Sequence, residues 1–290
     1  MAVFRPIGQT RPGTVMAGCG LSLTTSGGDV ACPANEDFNR AAAGRETTAK
    51  QMQRSTREPQ NRLLLALPRR EYDELRLDLE TVETRYREVL VDDEDTLERI
   101  YFPNRGVISV LGVYSDGATC EMATVGREGM TGFQEILGAR ISTVRLLTQI
   151  EGNAMRMTRK KFDAALVEFP AFRKLMNLYL QVLLDQVMLS GACNTAHSVK
   201  QRLARWLLMM LDRQDGDVLG ITQDLIAEML SVHRPTATKA LRVLQSAGLV
   251  RARRGGIEIE DREGLMSVSC ECYQLNRART AARLPKTYPG

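Results

Sequence analysis

The chain has 290 residues, 43% of them hydrophobic, which is enough for about two domains of ordinary size. Its 39 basic and 35 acidic residues give a net charge of only +4, so any surface for a polyanion must be local. The N-terminal residues lack the apolar stretch of a signal peptide, and polar residues interrupt the most apolar region, 175–193. Composition therefore argues against secretion and against a membrane span, and we expect a cytoplasmic protein.

Residues 1–57 are rich in Gly, Thr, Ala, Arg and Pro and show no apolar period, so we predict a disordered extension. The six cysteines stand at positions 19, 32, 120, 193, 270 and 272, without the C-x-x-C spacing typical of zinc sites. We expect free thiols and no bound metal, and Cys270 and Cys272 are too close in sequence for an ordinary disulfide.

Residues 58–170 are predicted to form a sensor domain that is mainly β-structure. Apolar and β-branched residues recur in short runs with Gly turns between them: Tyr101–Pro103, Gly106–Leu111, Thr119–Val125 and Val144–Ile150. No helical crossover separates these runs. We therefore expect an α+β protein whose N-terminal part is an antiparallel β-roll of jelly-roll type.

A long helix is predicted over residues 171–197, following Pro170. Its apolar residues cover almost the whole circumference, so the helix must be covered on more than one side. We expect one side to pack on the roll and another on a second subunit. The alternative is a helix buried within a monomer.

Residues 198–290 are predicted to begin with an amphipathic helix, which joins the sensor to a pair of short helices. Thr222 is placed to cap the first helix of the pair, and Ser231–His233 forms a tight turn. The second helix is expected to run from Arg234 to Gly248, with Pro235 in its first turn.

The second helix has one apolar side and one polar side that includes Lys239 and Arg242. Two alternating segments follow, with Gly255-Gly256 between them, and they predict a hairpin wing. No acidic residue occurs from His233 to Ile257. A winged helix-turn-helix with a basic face indicates a nucleic-acid partner. The alternative is an ordinary solvated helix face.

The order of β-roll, long helix and winged helix-turn-helix resembles the Crp/Fnr family of bacterial transcription regulators. Three segments carry the resemblance: Ile221–Gln223, His233–Thr236 and Gly126–Gly132. It extends from about Asn61 to the C-terminus. The resemblance implies a cytoplasmic homodimer that binds double-stranded promoter DNA and responds to a small signal held in the roll, with RNA polymerase as a further candidate partner.

The resemblance also assigns roles to single residues. Arg234 and Lys239 are expected to read base edges, for which guanine O6 and N7 are suitable acceptors. The expected phosphate contacts of the helix pair are Thr222, Gln223, His233, Thr236 and Arg242, and those of the wing are Arg251, Arg253 and Arg254. Pro235 stands where members that respond to cyclic AMP carry a base-reading Glu, so the DNA preference should differ from theirs.

The ligand site departs from the family pattern. Cyclic-AMP-binding members have a Glu after a Gly and an Arg-Ser pair further on, whereas this chain has Gly129-Met130 and Arg140-Ile141. Val187 and Met188 stand where the adenine-contacting hydroxyl residues would be. We do not expect cyclic AMP in its usual mode, and Arg127, Gly129, Arg140 and Arg145 remain candidates for an anionic effector. Cys19 and Cys32 do not match the N-terminal cysteine cluster of the iron–sulfur branch, so no such cluster is expected.

Two other classes of function were weighed. In the first, the chain is a small-molecule sensing module whose C-terminal unit binds a protein instead of DNA. The basic face without acidic residues argues against this alternative. In the second, the chain is an enzyme. His197 and His233 are its only histidines, and neither H-E-x-x-H nor G-x-S-x-G occurs, so no catalytic residues are predicted.

Overall fold

The computed structural model describes residues 60–284. The predicted disordered extension 1–57 lies outside the described residues, as do Cys19 and Cys32. The described part begins with helices α1 (Arg62–Leu65) and α2 (Arg69–Leu75) and a 3-10 turn (Arg76–Asp78). The side chain of Asn61 caps α1 by accepting hydrogen bonds from the backbone of Leu63 and Leu64.

An antiparallel sheet of five strands follows, as the alternation predicted. Its strands are β1 (Glu80–Thr84), β2 (Val89–Val91), β3 (Arg99–Val113), β4 (Thr119–Val125) and β5 (Arg145–Thr158). The order is β1-β5-β3-β4, and β2 also pairs with β5. The short helix α3 (Phe133–Ile136) lies between β4 and β5. The predicted α+β class with an antiparallel N-terminal sheet is confirmed.

The longest strand differs from the prediction in its continuity. Two separate strands were expected at residues 101–103 and 106–111, but both segments belong to β3. The strand continues through an irregular pairing at Gly106, which adopts a φ of +84°. A Cβ at Gly106 would lie 2.5 Å from the carbonyl oxygen of Ile150. Strands β1 and β2 were missed, since β1 is a mostly exposed segment without an apolar run.

Strand β3 contributes to two hydrophobic cores, one on each face of the sheet. Ile108 and Val110 face the core that also contains Phe102, Phe162 and Phe172. Val107 and Leu111 belong instead to the core of the C-terminal part. This alternation places the sheet directly against the C-terminal part of the chain.

Two helices complete the N-terminal core, α4 (Arg159–Glu168) and the long helix α5 (Pro170–Ala196). At about 1.5 Å per residue, α5 is roughly 40 Å long. Its buried positions, which include Phe172, Met176, Tyr179 and Cys193, recur at helical spacing. The observed helix agrees closely with the range predicted for it.

Helix α6 (Val199–Leu211) begins at a capping box formed by Ser198 and Gln201. It is buried almost throughout, with Trp206 1% exposed, because the sheet and the C-terminal helices cover it from two sides. The C-terminal part then comprises β6 (Val218–Leu219), α7 (Gln223–Met229), α8 (Arg234–Ser246), β7 (Val250–Arg253) and β8 (Gly256–Ile259).

The segment after Leu265 is ordered into helices. Helix α9 (Arg262–Val268) packs on α6, and α10 (Cys272–Arg283) packs on α5 and, less extensively, on α6. Arg283 forms a salt bridge of 2.8 Å with Asp185 on α5. Within residues 60–284, no helix combines the length and apolarity needed to cross a bilayer.

Candidate nucleic-acid interface

Helices α7 and α8 form the predicted helix-turn-helix. Thr222 caps α7, since its Oγ1 accepts a hydrogen bond of 3.2 Å from the backbone of Leu225. Ser231 adopts a positive φ of 51° in the turn, and the backbone N–H of Val232 donates to Ala227. The chain thereby reverses within a few residues, and α8 begins at Arg234.

Helix α8 has one buried and one exposed side, as its sequence pattern predicted. Ala237, Ala240, Leu241 and Leu244 are buried against α6 and α7. Every predicted DNA-contacting residue of the helix pair is exposed: Thr222, Gln223, His233, Arg234, Pro235, Thr236, Lys239 and Arg242. The fold therefore presents these residues to solvent on the helix pair.

Some of these side chains already have partners within the protein. Arg234 Nε lies 2.9 Å from Asp224 Oδ1, and Thr238 donates a hydrogen bond of 3.0 Å to Gln223. Lys239 and Arg242 form no salt bridge within the described part of the chain. The stretch from His233 to Ile257 contains no acidic residue. In the fold, however, Asp224 of α7 places a carboxylate beside the start of α8.

The wing is a tight hairpin, with Arg253 paired to Gly256 across a turn in which Gly255 has φ +80°. Arg253 lies 2.6 Å from Glu258, and Arg251 pairs with Glu260. Arg254, at the tip, has no salt bridge among residues 60–284. The phosphate contacts predicted for these three arginines stay a prediction. To make them, Arg251 and Arg253 would have to leave their glutamate partners.

Comparisons with known proteins agree with this geometry. The family profile of the Crp-like helix-turn-helix domain matches residues 201–268. This part of the chain is therefore a Crp-like helix-turn-helix domain. No curated protein sequence matches it. The predicted helix-turn-helix of Crp type is thus confirmed for residues 201–268.

Solved structures show the same fold at low sequence identity. FixK2 from Bradyrhizobium japonicum is 17% identical, with a TM-score of 0.57 over 66% of this chain and 98% of that one. The c-di-GMP-responsive regulator CLP of Xanthomonas campestris is 15% identical, with a TM-score of 0.55 over 66% and 99%. A CRP/FNR-family regulator from Thermus thermophilus is 19% identical, with a TM-score of 0.53 over 66% and 98%.

The predicted effector residues have different partners. Arg127 forms a salt bridge of 2.9 Å with Asp215 and donates to backbone carbonyls of the C-terminal part. Arg145 forms two hydrogen bonds with Asp92, at 2.7 and 3.0 Å, which hold the pKa of that carboxyl below its usual value. Arg140 is exposed. Their joint role in effector binding remains a prediction.

The segment where cyclic-AMP-binding relatives carry a ribose-binding Glu is tightly packed. Met130 is completely buried, and its sulfur accepts a hydrogen bond of 2.8 Å from the backbone of Gly132. A Cβ at Gly129 would lie 2.5 Å from the hydroxyl of Tyr179. Met130 has no carboxylate to accept from a ribose hydroxyl, and its one weak acceptor, the sulfur, is already bonded to Gly132.

A polar cluster between the sheet and α6 was not found from sequence. Glu121 on β4 accepts hydrogen bonds from Trp206 (2.9 Å), Ser109 (2.9 Å) and Gln149 (3.1 Å). Desolvation at this junction raises the pKa of this carboxyl from 4.5 to about 7, against the opposing effects of the hydrogen bonds from Ser109 and Trp206 and of Arg205 and Arg213. The residue thus lies where the N-terminal sheet meets α6.

A buried salt bridge lies at the same junction. Arg213, after the end of α6, places its Nε 2.7 Å from Glu128, and their side chains are 2% and 7% exposed. The guanidinium also donates to the carbonyl oxygens of Met209 and Thr124 and to Gln186. The segment after β4, the long helix and the end of α6 are therefore tied together by one side chain.

Proposed function

We propose that the protein acts in the cytoplasm as a homodimer that reads a two-fold symmetric DNA site with α8. In this proposal, Arg234 and Lys239 contact base edges, while Thr222, Gln223, His233, Thr236 and Arg242 contact phosphates. The observation that carries the proposal is the exposure of all these side chains on the helix pair of a Crp-like domain.

Pro235 supports a DNA preference of its own. It is exposed in the first turn of α8, between the two proposed base readers, and its ring has no hydrogen-bonding group. A base pair facing Pro235 can be distinguished only by shape and apolar contact, such as contact with a thymine methyl group. Selection should therefore be weakest at this position of the half-site.

The homodimer is supported by the outer side of α5. Leu184 and Met188 stand one turn apart on this helix and are each 56% exposed. Helix α10 and the sheet cover other sides of α5. A second copy of α5 is the proposed cover. Dimers of helix-turn-helix proteins read half-sites about one DNA turn, roughly 34 Å, apart, and we expect the same spacing for the two α8 helices here.

The DNA-binding proposal is tested with duplexes selected by the protein from a random library. Lys239→Ala and Arg234→Ala should each weaken binding by about 5- to 150-fold, which corresponds to about 1–3 kcal/mol per base contact. Lys160→Ala removes another exposed lysine, on α4, and is the matched control. Fluorescence anisotropy at several salt concentrations gives the affinities. Equal affinities for Lys239→Ala and Lys160→Ala would contradict the assignment.

The dimer is tested with the double variant Leu184→Glu, Met188→Glu. The two charges should convert the dimer to a monomer, because desolvating them at an apolar contact is costly. Val167→Glu is the control, since Val167 is 80% exposed on α4. Sedimentation velocity distinguishes the states. A wild-type monomer at all concentrations would remove the dimer from the proposal.

We also propose that a signal sensed by the sheet changes its contact with α6. Trp206 is the only tryptophan of the chain, and it donates its indole N–H to Glu121 at this junction. Its fluorescence should therefore respond when an effector binds. Cyclic AMP and cyclic di-GMP are the first compounds to titrate, and a response to micromolar cyclic AMP would contradict the interpretation of Met130.

A further inference from the structure

Four potential metal ligands meet where α5 ends and α10 begins. Cys193 and His197 come from the end of α5, and Cys270 and Cys272 flank the start of α10. Their ligand atoms all lie within 4.8 Å of one another. The three cysteines are buried and His197 is half-buried, so the cluster is largely shielded from solvent.

Local structure positions each pair. His197 donates its backbone N–H to the carbonyl oxygen of Cys193, one turn earlier, which puts both side chains on the same side of the helix end. Tyr273 donates its backbone N–H to Cys270, and this turn brings Cys272 back beside it. The packing of α10 along α5 then unites the two pairs.

The distances fit a single tetrahedral ion. Cys193 Sγ and Cys270 Sγ are 3.4 Å apart, and Cys272 Sγ is 3.7 Å from His197 Nδ1. Around a tetrahedral Zn²⁺ with bonds of about 2.3 Å to sulfur and 2.0–2.1 Å to nitrogen, these separations are about 3.8 and 3.6 Å. Two of the six separations therefore lie within a few tenths of an ångström of the tetrahedral values, and the other four do not exceed 4.8 Å.

The surroundings also match the charge of such a site. Arg202 and Arg205 on α6 are buried near the cluster, and neither forms a salt bridge with a carboxylate among the described residues. The Nε of each has no hydrogen-bond partner in the structure. Three thiolates and a neutral imidazole around a divalent cation carry a net charge of −1, which would compensate buried positive charge.

We infer that Cys193, His197, Cys270 and Cys272 bind one Zn²⁺ ion, or a chemically similar thiophilic divalent cation, in a closed structural site. All four ligands come from the protein, which leaves no open position for a substrate. The ion ties the start of α10 to the end of α5, next to the first residues of α6. An iron–sulfur cluster fits less well, since several irons and bridging sulfides would force the cysteine sulfurs further apart.

The site is tested on the reduced, full-length protein after removal of metal with a chelator. Titration with Co²⁺ should produce thiolate-to-cobalt charge-transfer bands that saturate at one ion per chain, and Zn²⁺ should abolish them. Zn²⁺ should also raise the thermal denaturation midpoint, because it binds the folded state preferentially. The absence of thiolate bands in the wild-type protein would overturn the proposal, as would iron and sulfide in the purified protein.

Variants locate the site. Cys193→Ser and Cys272→Ser should each weaken Zn²⁺ binding by more than the roughly tenfold loss that follows removal of an outer-shell partner. Cys120→Ser is the matched control, because Cys120 is a free, half-buried cysteine outside the cluster. If Cys120→Ser and Cys193→Ser lost the same Zn²⁺ affinity, the ion would not be bound by the proposed cluster. Should a ligand variant fail to fold, the wild-type cobalt spectrum still decides.

This inference is independent of the DNA-binding proposal. Lys239→Ala should lose DNA affinity and retain one Zn²⁺ per chain, since Lys239 is not among the ligands. Failure of the metal site would leave the helix pair unchanged. Failure of DNA binding would likewise leave the cobalt spectrum unchanged, so the two results can be told apart.

Discussion

The exposed face of α8 and the buried junction between the sheet and α6 use arginine in opposite ways. Arg234 lies 2.9 Å from Asp224 in a pair whose side chains are 66% and 64% exposed. Arg213 lies 2.7 Å from Glu128 in a pair that is 2% and 7% exposed. The distances are similar, but water screens the first pair and is excluded from the second. Breaking the first pair should therefore cost little stability, whereas the second holds α6 against the segment that follows β4.

Removing one partner of the buried pair should have the largest effect on stability. Glu128→Gln leaves the Arg213 charge buried without its carboxylate, and we expect a loss of about 3–5 kcal/mol in the free energy of unfolding. Urea denaturation measures it. Glu74→Gln is the matched control, since Glu74 is half-exposed and pairs with Arg70 across a helix turn. A loss no larger than that of Glu74→Gln would show that the buried pair is not structurally important.

Glu121 should give the same junction a dependence on pH. Its raised pKa means that the folded state holds this proton more tightly than the unfolded state. Its contribution to stability is therefore full below pH 4.5 and is lost as the pH rises to about 7. The difference between the two pKa values corresponds to a loss of at most roughly 3 kcal/mol in the free energy of unfolding.

Glu121→Gln should flatten the fall in stability between pH 5 and pH 8. Denaturation at several pH values across this range measures the slope. Part of the slope should remain, because burial also raises the pKa of Glu135 to about 7. An identical slope in wild type and variant would mean that Glu121 does not titrate in this range.

The smallest effect on stability is expected on the face of α8. Arg234→Ala breaks only a solvent-exposed pair, so the urea midpoint should stay close to that of the wild type while DNA affinity falls. The combination of both measurements is the test. A large drop in the midpoint would show that Arg234 supports the helix pair, and the contrast between the two arginine sites would then fail.

Much of the DNA-binding part was predictable because its signals are local. The cap at Thr222, the turn at Ser231–His233 and the apolar side of α8 each depend on residues a few positions apart. Strands of the sheet were found where apolar alternation is clear, as in β4. Strand β1 was missed because its polar residues carry no such pattern, and only pairing with β5 makes it a strand.

Sequence by itself determined the α+β class, the long helix and the exposed basic face of α8, since periodicity and capping act within a few turns of chain. Only the tertiary structure decided which distant side chains contact each other. Glu128 meets Arg213 across 85 positions, and Cys193 meets Cys270 across 77. Neither spacing resembles a motif, because these contacts arise only when α6 packs on the sheet and α10 packs on α5. The recognition surface is thus encoded locally, whereas the buried junction and the proposed metal site depend on how distant elements pack.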